Sequence, residues 1–285
     1  MNQLLTEIST FVSLPLPVIS TGVTCFMILT YISSIFSPNI ISNWSLSPNS
    51  LLSGNTTSLT TFPLIHVNFL HLLSNIIVLY HPLSQFENSH GSLHTALLLN
   101  TLGAITGIAF TIISLILNYI GIESDDSLNV SILGSSGWAF TFLTINCCYN
   151  SINNPYTTIY NTHYNVPTIF LPLIYLIISF ILVPSSSFLG HFVSIILGVL
   201  IFKNYIAFLA IPPFNLLGKI ENLNIFKYSI ESIFPIELFK WTWENDVKEI
   251  RYQLTDFNNP NPILPTHNEQ NSGEKLGTNK NLETN

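Results

Sequence analysis

Apolar residues in this chain fall into six long runs parted by polar stretches. The runs cover 15–36, 62–80, 93–120, 130–148, 167–183 and 188–211. Runs of this length suit α-helices crossing a hydrocarbon layer of about 30 Å. The pattern predicts an all-α fold, a polytopic membrane protein with a six-transmembrane-helix bundle. Between the runs, 37–61 reads as a long polar loop and 81–92 as a short link. Residues 121–129 read as an acidic loop, 149–166 as a loop rich in Asn and Tyr, and 184–187 as another short link. The first run lacks a basic leader and a small-residue cleavage site, so it reads as a retained helix rather than a signal peptide.

Several polar residues interrupt these runs. The second carries His66, His71 and Asn75, the fourth carries Gly134-Ser135-Ser136-Gly137, and the sixth opens on Gly190-His191. Polar side chains inside a membrane span are costly and point to function by default. His71 and Asn75, four apart, share a helix face. His66 is expected near that face, about a turn and a half closer to the helix start. Glycines bracketing a serine let another backbone come close. Gly103, Ala104 and Gly107, and the pair Ser194 and Gly198, are expected to serve helix packing.

Composition agrees with the pattern. Only 8% of the 285 residues are charged, against about 25% in ordinary soluble domains, and the mean hydropathy is +0.46. All eight Lys and Arg lie from Lys203 onward, and the net charge is −7. That balance excludes a nucleic-acid partner, which needs a basic surface. It divides the chain into a short cytosolic N-terminus (1–14), a membrane domain (15–211) and a cytosolic tail (212–285). The positive-inside rule places the tail in the cytosol, and six spans return the N-terminus there. Loops 37–61, 121–129 and 184–187 are then luminal. The triplets at Asn43, Asn55 and Asn129, each of the Asn-x-Ser/Thr form, fall in the first two. Ser136 is then expected about six residues, or roughly 9 Å, inside its helix. His191 and His71 lie in the same luminal half of the bilayer. In the tail, 223–252 is expected to be an amphipathic helix on the membrane lipid, with disorder from about 256. The tail is also a candidate site for a cytosolic partner. Cys25, Cys147 and Cys148 read as buried packing residues, and their spacing suggests neither a metal site nor a disulfide framework.

These residues raise a catalytic reading. A serine hydroxyl attacks a carbonyl only where a base takes its proton, and His191 is the candidate base for Ser136. Hydrolysis also needs donors where the carbonyl oxygen gains charge; His71 and Asn75 can supply them beside a backbone N–H near Ser136. The spans hold no acidic third partner, so the arrangement is a Ser–His dyad. Ser135 competes as nucleophile, but its spacing to the next glycine favours Ser136. His66, Gly134 and Gly137 are supporting residues. His81, His90, His94, His163 and His267 are expected in solvated loops or at helix ends. No cofactor or metal is implied.

The set His66-x4-His71-x3-Asn75, Gly134-x-Ser136-Gly137 and Gly190-His191 with Gly198 resembles the rhomboid intramembrane serine protease family, over roughly residues 15–211. The resemblance implies that Ser136 is the nucleophile, His191 the base, and His71 and Asn75 part of the oxyanion site. It also implies substrates that are membrane proteins cut in or near a transmembrane segment. The chain departs from the family pattern at Ser194, where a glycine is usual. It also lacks the Trp-Arg pair of the first loop, having Trp44 and no Arg there. The six-span form with no added helix is similar to the fungal Golgi-type members. Competing readings are a noncatalytic rhomboid-like protein that binds membrane segments for trafficking or quality control, and a haem protein ligated by His71 and His191. A zinc protease fits poorly, because His66 and His71 are five apart with no Glu between them.

Overall fold

The computed structural model describes residues 16–158, 164–183, 187–206, 214–235 and 238–242. Helix α1 (Val18–Phe36) is followed by short helices α2 (Asn39–Trp44), α3 (Pro48–Leu52) and α4 (Ser58–Thr61), and a 3-10 turn at Phe62–Leu64. Then come α5 (Phe69–His90), α6 (Ser92–Tyr119), α7 (Ser136–Asn153), α8 (Leu171–Leu182) and α9 (Phe188–Phe202). A small antiparallel hairpin joins α7 to α8, with Tyr156–Thr158 pairing Asn165–Pro167. Two short helices, α10 (Phe214–Glu221) and α11 (Asn224–Ile233), follow the bundle.

Helix α7 stands in the middle, packed by α5, α6, α8 and α9, while α1 leans on α5. Among the described residues two helices, α1 and α6, are each long and apolar enough to cross a bilayer. The pair 58–64 and 69–90 forms a third apolar stretch, bent by 95° at its break, and α8 and α9 are shorter apolar helices. Leu29, Ile35, Ile112, Ile116, Ile177 and Ile181 all point outward and are more than half exposed. Water would penalise each by roughly 1.5–3 kcal/mol relative to burial, so this belt is suited to lipid. Between the helices, lipid supplies no hydrophobic drive and close packing must hold the bundle. It does so through Leu79, Leu83, Leu98, Leu102, Trp138 and Phe142. It also does so through small residues where α7 meets α9. A Cβ on Gly198 would lie 2.7 Å from Thr144 Cβ and 2.9 Å from the Thr141 carbonyl.

The far end of the bundle, opposite Ser136, is closed by residues that hydropathy leaves unmarked. Glu87, in α5, is fully buried. Its carboxylate accepts from Ile19 N (2.8 Å), Ser20 N (2.8 Å), Ser20 Oγ (2.7 Å) and Ser92 Oγ (2.6 Å). The first two are orphan amides of the opening turn of α1, where a negative charge also suits the helix dipole. Residues 238–242 lie across this end. Lys240 N donates to Ser92 Oγ at 2.9 Å, and its carbonyl accepts from Ser92 N at 2.7 Å. Thr242 N and Oγ1 donate to the buried Glu221 carboxylate at 2.9 and 2.7 Å.

Several expectations need correction. The second run is not one helix, because 65–68 breaks it and Asn68 caps α5 by accepting from His71 N. His66 therefore sits in the break, not a turn below His71 on one face. The stretch 81–90 is helical through Pro82 rather than a link, since a helix end packed on protein need not be apolar. The fourth helix begins at Ser136, not Val130, so Ser136 is its first residue rather than six residues inside. Residues 37–61 carry three short helices instead of an open loop. The expected 223–252 helix ends at Ile233, ahead of Pro235, and residues 243–285 lie outside the described ones. So do 1–15, His163 and His267. His94 is buried against Phe86 rather than solvated, and Cys25 is exposed while Cys147 and Cys148 are buried.

Candidate active site

The loop into α7 sets the site. Ile132 pairs with Leu46 as an isolated antiparallel bridge, with Leu46 N donating to Ile132 O at 3.0 Å and Ile132 N to Leu46 O at 2.7 Å. Gly134 follows at φ +101°, a region that disfavours a side chain. Its N–H donates to the Phe62 carbonyl at 2.8 Å. A Cβ there would also collide, lying 2.8 Å from His71 Cε1, 2.9 Å from His71 Nε2 and 3.2 Å from Asn75 Nδ2. Glycine at 134 therefore lets His71 and Asn75 rest on the backbone just before Ser136.

Ser136 opens α7, so the first amides of that helix have no acceptor within it, and the end of the dipole facing the site is positive. Across from it, Ser187 caps α9 by accepting from Gly190 N at 3.0 Å, which places His191 in the first turn of that helix. Ser136 Oγ lies 2.7 Å from His191 Nε2. The His191 imidazole is held by the Phe140 ring, 4.6 Å away and tilted by 32°. Its other nitrogen, Nδ1, is buried with no hydrogen-bond partner among the described residues. Among the described residues no carboxylate bonds to either member of the pair. Gly137 brings α9 close, since a Cβ there would stand 3.2 Å from Ser194 Oγ. Ser194 donates to the Gly190 carbonyl of its own helix at 2.9 Å, so serine packs in the place where glycine is usual.

Ser136 and His191 face a small open cleft lined also by Phe62, Thr106, Leu133, Gly134 and Ser187. On the α5 side, Asn75 is buried with its Nδ2 donor unpartnered among the described residues, while His71 is half-buried. His66 accepts from Ser135 N at 3.4 Å through Nε2 and meets the His71 ring edge-on at 5.0 Å. Ser135, the rival nucleophile, is fully buried behind the cleft. The haem reading asks both imidazoles to face an iron, whereas His191 Nε2 faces a hydroxyl. Among the described residues no cluster of His, Cys, Asp or Glu has the makings of a metal site.

Sequence reasoning missed Phe140, Leu46 and Phe62. Phe140 is one helical turn after Ser136, a spacing that does signal a shared face. Leu46 and Phe62 act through main chain, which leaves no side-chain signature.

The constellation of residues sits on one bundle. A Rhomboid domain model matches residues 53–207. The chain is 31% identical over 270 residues to rhomboid-type serine protease 2 of Saccharomyces cerevisiae, covering 93% of this chain and 95% of that protein. It is 34% identical to the protein of that name in Eremothecium gossypii, covering 71% and 74%. It is 29% identical to that of Kluyveromyces lactis, covering 92% and 95%. With a glycine-framed serine starting one helix, a histidine in reach on another and a matching domain around both, the chain belongs to the rhomboid family.

Proposed function

We propose that Ser136 and His191 are the catalytic pair of this intramembrane serine endopeptidase. The protein hydrolyses peptide bonds of transmembrane protein substrates. The observation that carries the assignment is the 2.7 Å separation of Ser136 Oγ and His191 Nε2, within the reach a nucleophile and its base require. Ser136 Oγ attacks the scissile carbonyl carbon and its proton passes to His191 Nε2. The carbonyl oxygen becomes an oxyanion, held by the Ser136 N–H at the start of α7, by Asn75 Nδ2 and by His71. The tetrahedral intermediate collapses as the C–N bond breaks and His191 returns the proton to the leaving amine. Water, deprotonated by His191, then attacks the ester carbonyl, releasing the new carboxylate and restoring Ser136. Packing on Phe140 keeps the imidazole aligned without an acidic third member.

The active site opens to the lumen and both termini face the cytosol, as the clustering of cations from Lys203 onward supports. Similarity to the fungal Golgi-type members supports the Golgi membrane as location. The exposed Ile225, Tyr228 and Ile233 of α11 support a resting place for the tail on membrane lipid, and residues 243–285 are left to a cytosolic partner. The membrane domain, 15–211 by hydropathy, gains 238–242 as a docked extension. A noncatalytic role in binding membrane segments is disfavoured by the dyad geometry. Ser136→Ala is expected to abolish cleavage of a single-span membrane substrate at unchanged protein level. Cleavage by that variant at the parent rate would overturn the assignment.

A further inference from the structure

Main-chain groups of three residues just ahead of Ser136 are already engaged by one upstream segment. Ile132 exchanges two hydrogen bonds with Leu46, and Gly134 N donates to Phe62 O at 2.8 Å. Ser135 N donates to His66 Nε2 at 3.4 Å. A further tie holds the start of the loop, where Asn49 Nδ2 donates to Asn129 Oδ1 at 2.9 Å. The segment making these contacts is itself anchored. Leu46 is fully buried, in a cluster with Phe62, Phe110 and Ile132. It is seated where α6 has glycine, since a Cβ on Gly107 would lie 2.6 Å from Leu46 Cδ2.

We propose that residues 44–66 are a positioning clamp for the loop 131–135, with Leu46, Phe62 and His66 as positioning residues for the hydrolysis. The proposal rests on reading Ser136 as the nucleophile. By taking up the N–H groups of Ile132, Gly134 and Ser135, the clamp fixes the peptide planes that lead into α7. The Ser136 N–H and the Asn75 amide are then left as the donors that face the reacting carbonyl. A loop turning on a glycine at positive φ has other conformations open to it, so without the clamp these planes rotate. A misplacement of about 1 Å in such a site costs about a hundredfold in rate. His66 thus acts through the Ser135 amide, not on substrate. Its acceptor nitrogen is Nε2, which assigns the ring proton to Nδ1.

The test uses the full chain in detergent micelles. Active sites are counted by titration with a fluorophosphonate, and kcat and KM per titrated site are measured on a single-span membrane substrate. Leu46→Ala and His66→Leu are expected to lower kcat per titrated site by about tenfold or more with KM unchanged. His66→Gln, whose amide oxygen can accept from Ser135 N, is expected to recover most of the loss. Parent kcat per site with merely fewer titratable sites would show packing alone and overturn the clamp. Equal loss in His66→Gln and His66→Leu would remove His66 from it. A parent chain that neither labels nor cleaves overturns the protease reading itself, and the clamp falls with it.

Discussion

The two ends of the bundle bury polar groups in opposite ways. At the far end, Glu87 is sealed from solvent and its two oxygens accept four hydrogen bonds from Ile19, Ser20 and Ser92. At the Ser136 end, Asn75 Nδ2, Ser135 Oγ, His66 Nδ1 and His191 Nδ1 are buried without partners among the described residues. An unmatched buried donor costs about 1–3 kcal/mol, so several gathered in one place call for an explanation, and an incoming substrate supplies one. Full satisfaction marks Glu87 as architecture, joining α1, α5 and α6. Incomplete satisfaction marks the other end as a place of work.

Three substitutions sharpen this contrast or break it. The largest effect is expected from Glu87→Leu, which orphans four donors at once. Unfolding in detergent should show a loss of about 4 kcal/mol or more, with kcat per folded molecule unchanged. A stable Glu87→Leu variant would sink the architectural reading. Next is Asn75→Leu, which removes a donor that bonds no other described residue. Cleavage should fall about a hundredfold, or about 2.7 kcal/mol in the barrier, with no loss of thermal stability. If stability falls instead and the rate holds, the amide belongs with Glu87. The smallest effect is expected from Thr242→Val, which deletes one hydroxyl bond to Glu221. A loss of about 1 kcal/mol in stability and parent-like cleavage are expected, read by the same two measurements.

Much of the site was legible in the sequence because its chemistry is carried by rare side chains in lipid-compatible runs. Ser136, His191, His71 and Asn75 stand out against leucine and isoleucine, and the structure brings them around Gly134. The boundaries were harder, because hydropathy reports what touches lipid and not where hydrogen bonding begins. Val130 to Leu133 are apolar enough to extend a span, yet Gly134 and the pairing with Leu46 keep them out of helix. The converse error runs through Pro82 to His90, where a polar composition hid the end of a long helix. Glu87 was passed over as a loop charge, since its partners are backbone amides and serines scattered over more than seventy positions. Hydropathy places His66 in the second span, whereas the cap at Asn68 starts α5 after it and leaves His66 in the break.

The attachment at Lys240 has a consequence for how the chain can vary. Ser92, through its hydroxyl and its N–H, meets the main-chain amide and carbonyl of Lys240. The first of those two bonds needs an amide hydrogen at 240, which proline lacks. A main-chain fastening of this kind leaves little trace in the letters, a seam that comparison of side chains passes over.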